Sequence, residues 1–572
     1  MAPFPMSVAM SVQDAQMRIQ AALRSNDLAG ARAIAKTALR ANPRDVTLAH
    51  MAGNLALKAG DPKAASKHFE TAATRVPSHL DYTLDLAITL QQLGQHEDVI
   101  KRLAAREDAG RKAVRYASIR ALSHKELGQM DEAAEWYDVA LSIEPQHPRA
   151  LHGRARVALE RGEAEALARF DQALSVNAGD ADVWLGKANA LDVSGDAQGA
   201  MTVARQIAEQ APSYLPGQSF LAQMKLAAGE ENFASHYADA AAKHPQDPNI
   251  PAAHCDVLSG LDRAQEAAEV AANARIAFPD VEHFALSEAV HSGTAGDWDR
   301  ADAIFADLRD DRPIRHLNEA RHRLRKHDLD AAERSLTKAL SGDGWDIASW
   351  ALLGIVWRLS GDPRAEWLHE RQGLVQFLPL EGAEDLVERC VSFLRELHAN
   401  SAMPLGQSLR GGTQTRGILF YRTEQLIREL RDAIAETVET YRSQLPKRDE
   451  KHPLLRHRNA DWRFDGSWSV RLTGGGDFHT SHIHPKGIVS SALYLITPDD
   501  CADESSRNGW LEIGRPPPDL GLDLEPVKAI QPKSGHLALF PSTLYHGTTP
   551  FAASERMTVA FDVVSQRKSY PK

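Results

Sequence analysis

His479-Thr-Ser-His482-Ile-His484-Pro485, followed by Ser490-Ser-Ala-Leu-Tyr-Leu-Ile496, is the stretch whose reading decides what the C-terminal part of this chain is. The second segment alternates as a strand does. His482 and His484 are one residue apart, and in extended backbone such side chains point the same way. A third histidine comes 62 residues after His484, in Phe540-Pro-Ser-Thr-Leu-Tyr-His546, and Arg556 follows 10 residues later. A distant strand carrying His546 can close a three-point face on a metal ion. That geometry suits non-haem Fe(II), which needs a facial ligand set and open positions for oxygen and a co-substrate.

Outside this stretch the composition sets limits. At 572 residues the chain is too long for one core, so two or more domains are expected. A net charge of -11 argues against nonspecific nucleic-acid binding. Cys255, Cys390 and Cys501 are the only cysteines and form no CxxC pair, which speaks against a disulfide framework or a zinc-thiolate site. No apolar run has membrane-spanning length, and Met1-Ala-Pro-Phe-Pro-Met lacks the basic and apolar regions of a leader. The expectation is a cytoplasmic protein with no membrane or nucleic-acid partner.

From residue 12 to 380 the sequence repeats. A turn residue, usually Gly, recurs at Asn26, Gly60, Gly94, Gly128, Gly162, Gly195, Gly229, Gly260, Gly296, His327 and Gly361. Successive steps are 34, 34, 34, 34, 33, 34, 31, 36, 31 and 34 residues. Gly takes the left-handed conformation that ends a first helix, and small Ala residues let a second helix pack closely. Ala52-Gly-Asn-Leu-Ala-Leu-Lys-Ala-Gly60-Asp-Pro-Lys-Ala-Ala-Ser-Lys-His-Phe69 is one clear copy. The two-helix period near 34 resembles the tetratricopeptide repeat. Pairs that cannot bury their apolar stripes alone stack into a superhelix, whose concave face is expected to take a protein or peptide. A spacer or oligomerisation arm is the plainer alternative.

The repeat fades near Leu380. Residues 381–465 read as capping helices and connecting region: Glu384 to Leu397 could close the array, and Thr423 to Leu445 is a second helix. Between them lies the polar Gly406-Gln-Ser-Leu-Arg410-Gly-Gly-Thr-Gln-Thr415, to which the residues assign no role beyond lining a pocket. Residues 466–572 are strand-rich, with Gly and Pro clusters between strands.

The stretch from about 466 to 564 resembles the Fe(II)- and 2-oxoglutarate-dependent oxygenases. The motifs are His482-Ile-His484, Ala492-Leu-Tyr-Leu-Ile496, Gly509-Trp-Leu-Glu-Ile-Gly514, Gly535-His-Leu-Ala-Leu-Phe-Pro541, His546 and Arg556, in the family's order and spacing. The branch it resembles is fused to tetratricopeptide arrays and pairs His-x-His-Pro with a Gln-Ser-Leu-Arg-Gly-Gly-Thr-Gln-Thr segment. The resemblance implies a double-stranded β-helix (jelly-roll, cupin-like) with flanking helices, so the whole chain is expected to be an all-α superhelix followed by that β domain. It implies Fe(II), 2-oxoglutarate and O2, with hydroxylation of a substrate as the reaction.

By the same resemblance His482, His484 and His546 would hold the iron, with no catalytic side chain beyond the metal centre. Arg556 would pair with the distal carboxylate of 2-oxoglutarate, joined by Tyr494 and Thr558. His484 stands where the family has a carboxylate. Asp477 in the preceding loop is a second candidate for that position, and a role behind the ligands is another for His484. Tyr494 reads equally well as core. His479 and His536 read as secondary or surface groups, and His452 and His457 as a solvated loop. Three other functions stay open: a three-His iron dioxygenase that needs no 2-oxoglutarate, an inactive repeat scaffold, and a small-molecule oxygenase whose repeats only oligomerise.

Overall fold

The computed structural model describes residues 10–380, 382–552 and 554–565. They form two compact units, divided after Val183 within the helix Ala181–Val193.

The first unit is built of antiparallel helix pairs. The turn chemistry is local and repeats. A residue with positive φ ends the first helix of each pair, and in the first two pairs the following Asp opens the second helix. After Asn26 (φ 60°), Asp27 accepts a hydrogen bond from the Gly30 amide; after Gly60 (φ 72°), Asp61 accepts one from Ala64. The left-handed residue satisfies the end of one helix, and the carboxylate satisfies an orphan amide of the next. Small residues set the spacing within pairs: a Cβ on Gly53 would lie 2.6 Å from the Phe69 ring.

The second unit continues the helix pairs to Ser360 and carries the strand-rich part as well. Ten of the eleven expected turn positions have positive φ. The exception is Gly260, at φ -65°; the left-handed residue there is Asp262, at φ 61°. With Asp262 in its place the irregular steps of 31 and 36 become 33 and 34. Asp tolerates this conformation better than most side chains, which is why a count of glycines missed it.

Eleven short and long strands follow: β1 (Gln376–Pro379), β2 (Leu409–Arg410), β3 (Thr413–Gln414), β4 (Trp462–Leu472), β5 (Phe478–His479), β6 (Val489–Ile496), β7 (Leu511–Ile513), β8 (Lys528–Ile530), β9 (His536–Pro541), β10 (His546–Thr548) and β11 (Arg556–Ser565). The large sheet has the order β1-β9-β6-β11-β4-β3, all neighbours antiparallel. A small sheet, β10-β7-β8, packs on one of its faces, as in a jelly roll. Period-2 alternation sorts the side chains. Leu493, Leu537, Leu539, Val559 and Phe561 face the helix side; Tyr494, Ala538 and Phe540 face the small sheet.

The helices Glu384–Ala399 and Gln425–Gln444 cover the first of these faces, burying Cys390, Leu394, Leu430 and Ile434. Glu384–Ala399 was a candidate cap for the repeats; its apolar stripe lies on the sheet, which would otherwise expose a large apolar face. β1, expected inside the last repeat, is an edge strand of the large sheet. Helix pairs and sheet are joined within this unit by polar contacts. Gln223 Nε2 donates to Met403 O at 2.8 Å, Arg416 pairs with Asp192 at 2.7 Å, and Arg321 and Arg325 both hold Asp519, at 2.8 and 2.6 Å.

His452 is not in a solvated loop. It is fully buried, with Nε2 on Leu368 O at 3.1 Å. Burial pushes His452 and His398 down to about 4, and burial together with Arg358 pushes His369 down to about 3. All three are neutral when folded but take a proton near 6.5 when unfolded, so the unfolded chain binds more protons below that pH. The metal-free chain is therefore expected to lose stability as pH falls from 6.5 towards 4, by about 1.4 kcal/mol per pH unit for each histidine fully engaged. Thermal denaturation across that range checks this; a flat melting temperature would contradict it.

Candidate metal centre and catalytic chamber

His482 and His546 meet across an isolated antiparallel bridge. The His482 amide donates to His546 O at 3.0 Å, and the His546 amide returns the bond at 2.9 Å. This places the two imidazole centroids 4.3 Å apart. His484, two residues on, turns to the same side, with its Nε2 3.1 Å from His482 Nε2. One ring nitrogen from each of the three lies within 4.8 Å of the others.

The remaining ring nitrogens are held from behind. His482 Nδ1 faces Thr480 O at 2.9 Å, and His546 Nδ1 faces Leu544 O at 3.3 Å. Carbonyl oxygens only accept, so each Nδ1 carries the proton and each Nε2 presents a lone pair. Burial, then the neighbouring histidine, pushes His482 down to about 3 and holds His546 well below its ordinary value. Neutral imidazoles are the state a metal requires.

His484 Nδ1 lies 2.5 Å from Asp562 Oδ1. Sequence reading missed Asp562, yet the signal was present. Arg556, Thr558, Ala560 and Asp562 alternate along β11 and all line the same chamber. A carboxylate behind a ligating imidazole fixes its ring and raises its basicity. Asp477, the other candidate for the carboxylate position, does not line the chamber; it accepts from the Thr473 amide at 3.0 Å in its own turn. Asp562→Asn is expected to weaken metal binding about 10–100-fold while the fold is retained. Anaerobic calorimetric titration with Fe(II) measures this, and unchanged affinity would remove Asp562 from the site.

Arg556 is 3% exposed. Its Nη2 donates to the Tyr494 hydroxyl at 3.2 Å, and its Nε has no partner. Thr558 lies opposite Tyr494 in the β11–β6 register. Tyr494 is at once core and polar: its ring packs with Ile513 and Phe540, and its hydroxyl meets Arg556. Burial raises the Tyr494 pKa, so the hydroxyl keeps its proton. A buried guanidinium with an unsatisfied N–H beside a hydroxyl fits an incoming carboxylate.

The chamber has a volume of about 710 Å³. His479 is on its wall, its Nδ1 3.3 Å from Ser408 Oγ, whereas His536 lies at the surface against Phe377. Ser259, Gly260, Asp262 and Arg321 from the helix pairs complete the lining. This gives Arg410 its role: its Nε and Nη2 hold Asp262 at 3.0 and 2.6 Å. Gly260 is needed for approach, not for a turn, since a Cβ there would lie 2.5 Å from Gly406 Cα. Gln414 faces the chamber, and Thr415 Oγ1 accepts from the Ser469 amide at 2.9 Å.

Residues 466–562 match the family described as "Putative 2OG-Fe(II) oxygenase". Residues 56–122, 163–224 and 115–147 match tetratricopeptide repeat families. The chain joins tetratricopeptide repeats to a domain of the 2OG-Fe(II) oxygenase family. A search of curated proteins finds no match. Among solved structures, PilW, a type IV pilus biogenesis factor, is 18% identical, with 37% of this chain and 100% of that one covered and a TM-score of 0.34. PilF of Pseudomonas aeruginosa is 17% identical over 36% and 96%, with a TM-score of 0.32. YrrB, a repeat protein with an unusual peptide-binding site, is 19% identical over 30% and 90%, with a TM-score of 0.28. These likenesses concern fold alone. In the oxygenase-family domain, His482, His484, His546 and Arg556 all open on one chamber.

Proposed function

We propose that this protein is an Fe(II)- and 2-oxoglutarate-dependent hydroxylase whose repeats recruit a protein or peptide. One observation carries the reading: a three-histidine cluster and a buried Arg556 with an unpartnered Nε share one chamber. In our reading the repeat array is 12–380, the connecting helices 381–465 and the oxygenase core 466–572.

His482, His484 and His546 would hold the iron through neutral nitrogens. Three imidazoles add no charge, and Asp562 behind His484 supplies a negative charge one hydrogen bond away. Arg556, with the Tyr494 and Thr558 hydroxyls, would hold the distal carboxylate of 2-oxoglutarate. Bound iron and 2-oxoglutarate supply the oxidation of a substrate C–H by O2. The protein's part is to fix both, to exclude water with Phe540 and Trp468 beside the histidines, and to leave the wall at Ser259–Asp262 for substrate. Three free, buried cysteines suit a reducing compartment, and we place the protein in the cytoplasm.

The test is Fe(II)-dependent conversion of 2-oxoglutarate to succinate by the full chain. Iron binding without succinate would favour a three-His dioxygenase that does not use 2-oxoglutarate. Absence of iron binding would favour a scaffold.

A further inference from the structure

The small sheet that carries His546 is slight. β10, β7 and β8 have three residues each, and His482 joins β10 through an isolated bridge. Strands this short need packing against other elements to hold their place. Here they pack against the last helix pairs. Tyr545, immediately before His546, is buried in one core with Leu324, Leu352, Val356 and Leu368. Ile483, between His482 and His484, packs on the same core.

Polar groups pin the segment before His546 as well. From the helix Pro313–Arg325, Arg321 Nη1 donates to the Tyr545 hydroxyl at 3.1 Å, while its Nη2 donates to the two Asp519 carboxylate oxygens at 2.9 and 2.8 Å. Arg325, one turn on, holds the same carboxylate at 2.6 Å and Asp519 O at 3.0 Å. From the helix Ile347–Ser360, Arg358 Nη1 donates to Gly514 O at 2.5 Å, and the Gly514 amide donates to Tyr545 O at 2.6 Å. His369 Nε2 lies 3.1 Å from Thr543 Oγ1, and a Cβ on Gly354 would lie 2.1 Å from the His369 ring. Tyr545 is therefore held at its hydroxyl from one helix and at its carbonyl, through Gly514, from another. Arg325 already neutralises Asp519, so the bond to Tyr545 is what Arg321 adds.

We propose that Arg321 is a positioning residue for the metal ligand His546, and that through Tyr545 the last helix pairs and the metal centre form one coupled element. The proposal rests on reading His482, His484 and His546 as the ligand set. Such a set works only if its members are held to within about 0.5 Å by groups whose own positions are locked. Arg321 and Gly514 lock Tyr545, and a single peptide unit passes that constraint to His546. Coupling of this kind is reciprocal: what the helix does for metal affinity, bound metal does for the helix.

The experiment uses the full chain without 2-oxoglutarate, so its outcome is independent of turnover. Anaerobic calorimetry gives the Fe(II) affinity, and thermal denaturation gives the stability of the metal-free chain. Hydrogen exchange with and without Fe(II) follows the amides of Pro313–Arg325. Tyr545→Phe removes one hydroxyl and keeps the buried ring, and Arg321→Met leaves Asp519 to Arg325. Each is expected to lower Fe(II) affinity about 3–10-fold. Arg321→Lys keeps a cation but not the fork that reaches two partners at once, so its affinity should fall between. Fe(II) should slow exchange in Pro313–Arg325 at least about threefold in wild type and less in Tyr545→Phe, whose metal-free melting temperature stays within about 2 °C of wild type. Wild-type affinity in both Tyr545→Phe and Arg321→Met, or helix exchange indifferent to Fe(II), would overturn the coupling and leave the ligand set standing. Affinity that falls only in step with the metal-free melting temperature would overturn it too, because general destabilisation accounts for that. No Fe(II) uptake by wild type would overturn it together with the reading of the centre.

Discussion

Neither His482→Ala nor His546→Ala is expected to bind Fe(II) or to form succinate above background. Each leaves two neutral imidazoles on the metal, with no charge to compensate. Loss of an outer hydrogen-bond partner alone typically costs 10–100-fold in affinity, so loss of a ligand must exceed about 100-fold. The two substitutions differ in side effects. His546 is buried against Phe540 at 4.8 Å, and truncating it leaves a void. His482 is less enclosed, and its backbone bridge to His546 does not need the side chain. A His482→Ala chain that melts like wild type but does not take up iron in anaerobic calorimetry is the expected result. Retained iron affinity in that chain would end the three-histidine assignment.

The second large effect belongs to Arg556. Arg556→Ala should leave iron affinity near wild type and raise the KM for 2-oxoglutarate. Truncating one partner of a buried, hydrogen-bonded charge pair costs about 2–5 kcal/mol, which is roughly 30-fold to several thousandfold. Arg556→Lys keeps the charge but loses the planar fork, so partial recovery is expected. The comparison separates binding from folding: both substitutions orphan the Tyr494 hydroxyl, yet only the lysine restores a cation. Unchanged 2-oxoglutarate dependence in Arg556→Ala would favour iron chemistry without that co-substrate.

What was legible in the sequence was what repeats or alternates locally. The helix pairs follow from a period near 34 residues and a left-handed turn residue, both settled locally. Period-2 spacing put His482 and His484 on one side, and the offset from His546 to Arg556 survived folding because one short connection carries the chain from β10 in the small sheet to β11 in the large one. What the structure alone decided involves residues far apart in sequence. Asp562 meets His484 across 78 residues, and Arg410 meets Asp262 across 148. His452 is buried because Leu368, 84 residues earlier, offers it a carbonyl.

Gly260 illustrates the division. Its identity suggested a left-handed turn residue, but at the end of its helix it keeps a right-handed backbone (φ -65°), and a close approach to Gly406 is what requires the missing Cβ. By itself the sequence determined the repeats, the β domain and the histidines that meet, since periodicity and spacing are carried by neighbouring residues. Only the tertiary structure determined that helix-pair residues form a wall of the histidine chamber. That outcome depends on backbone approach and charge pairing between distant segments, and neither leaves a period in the chain.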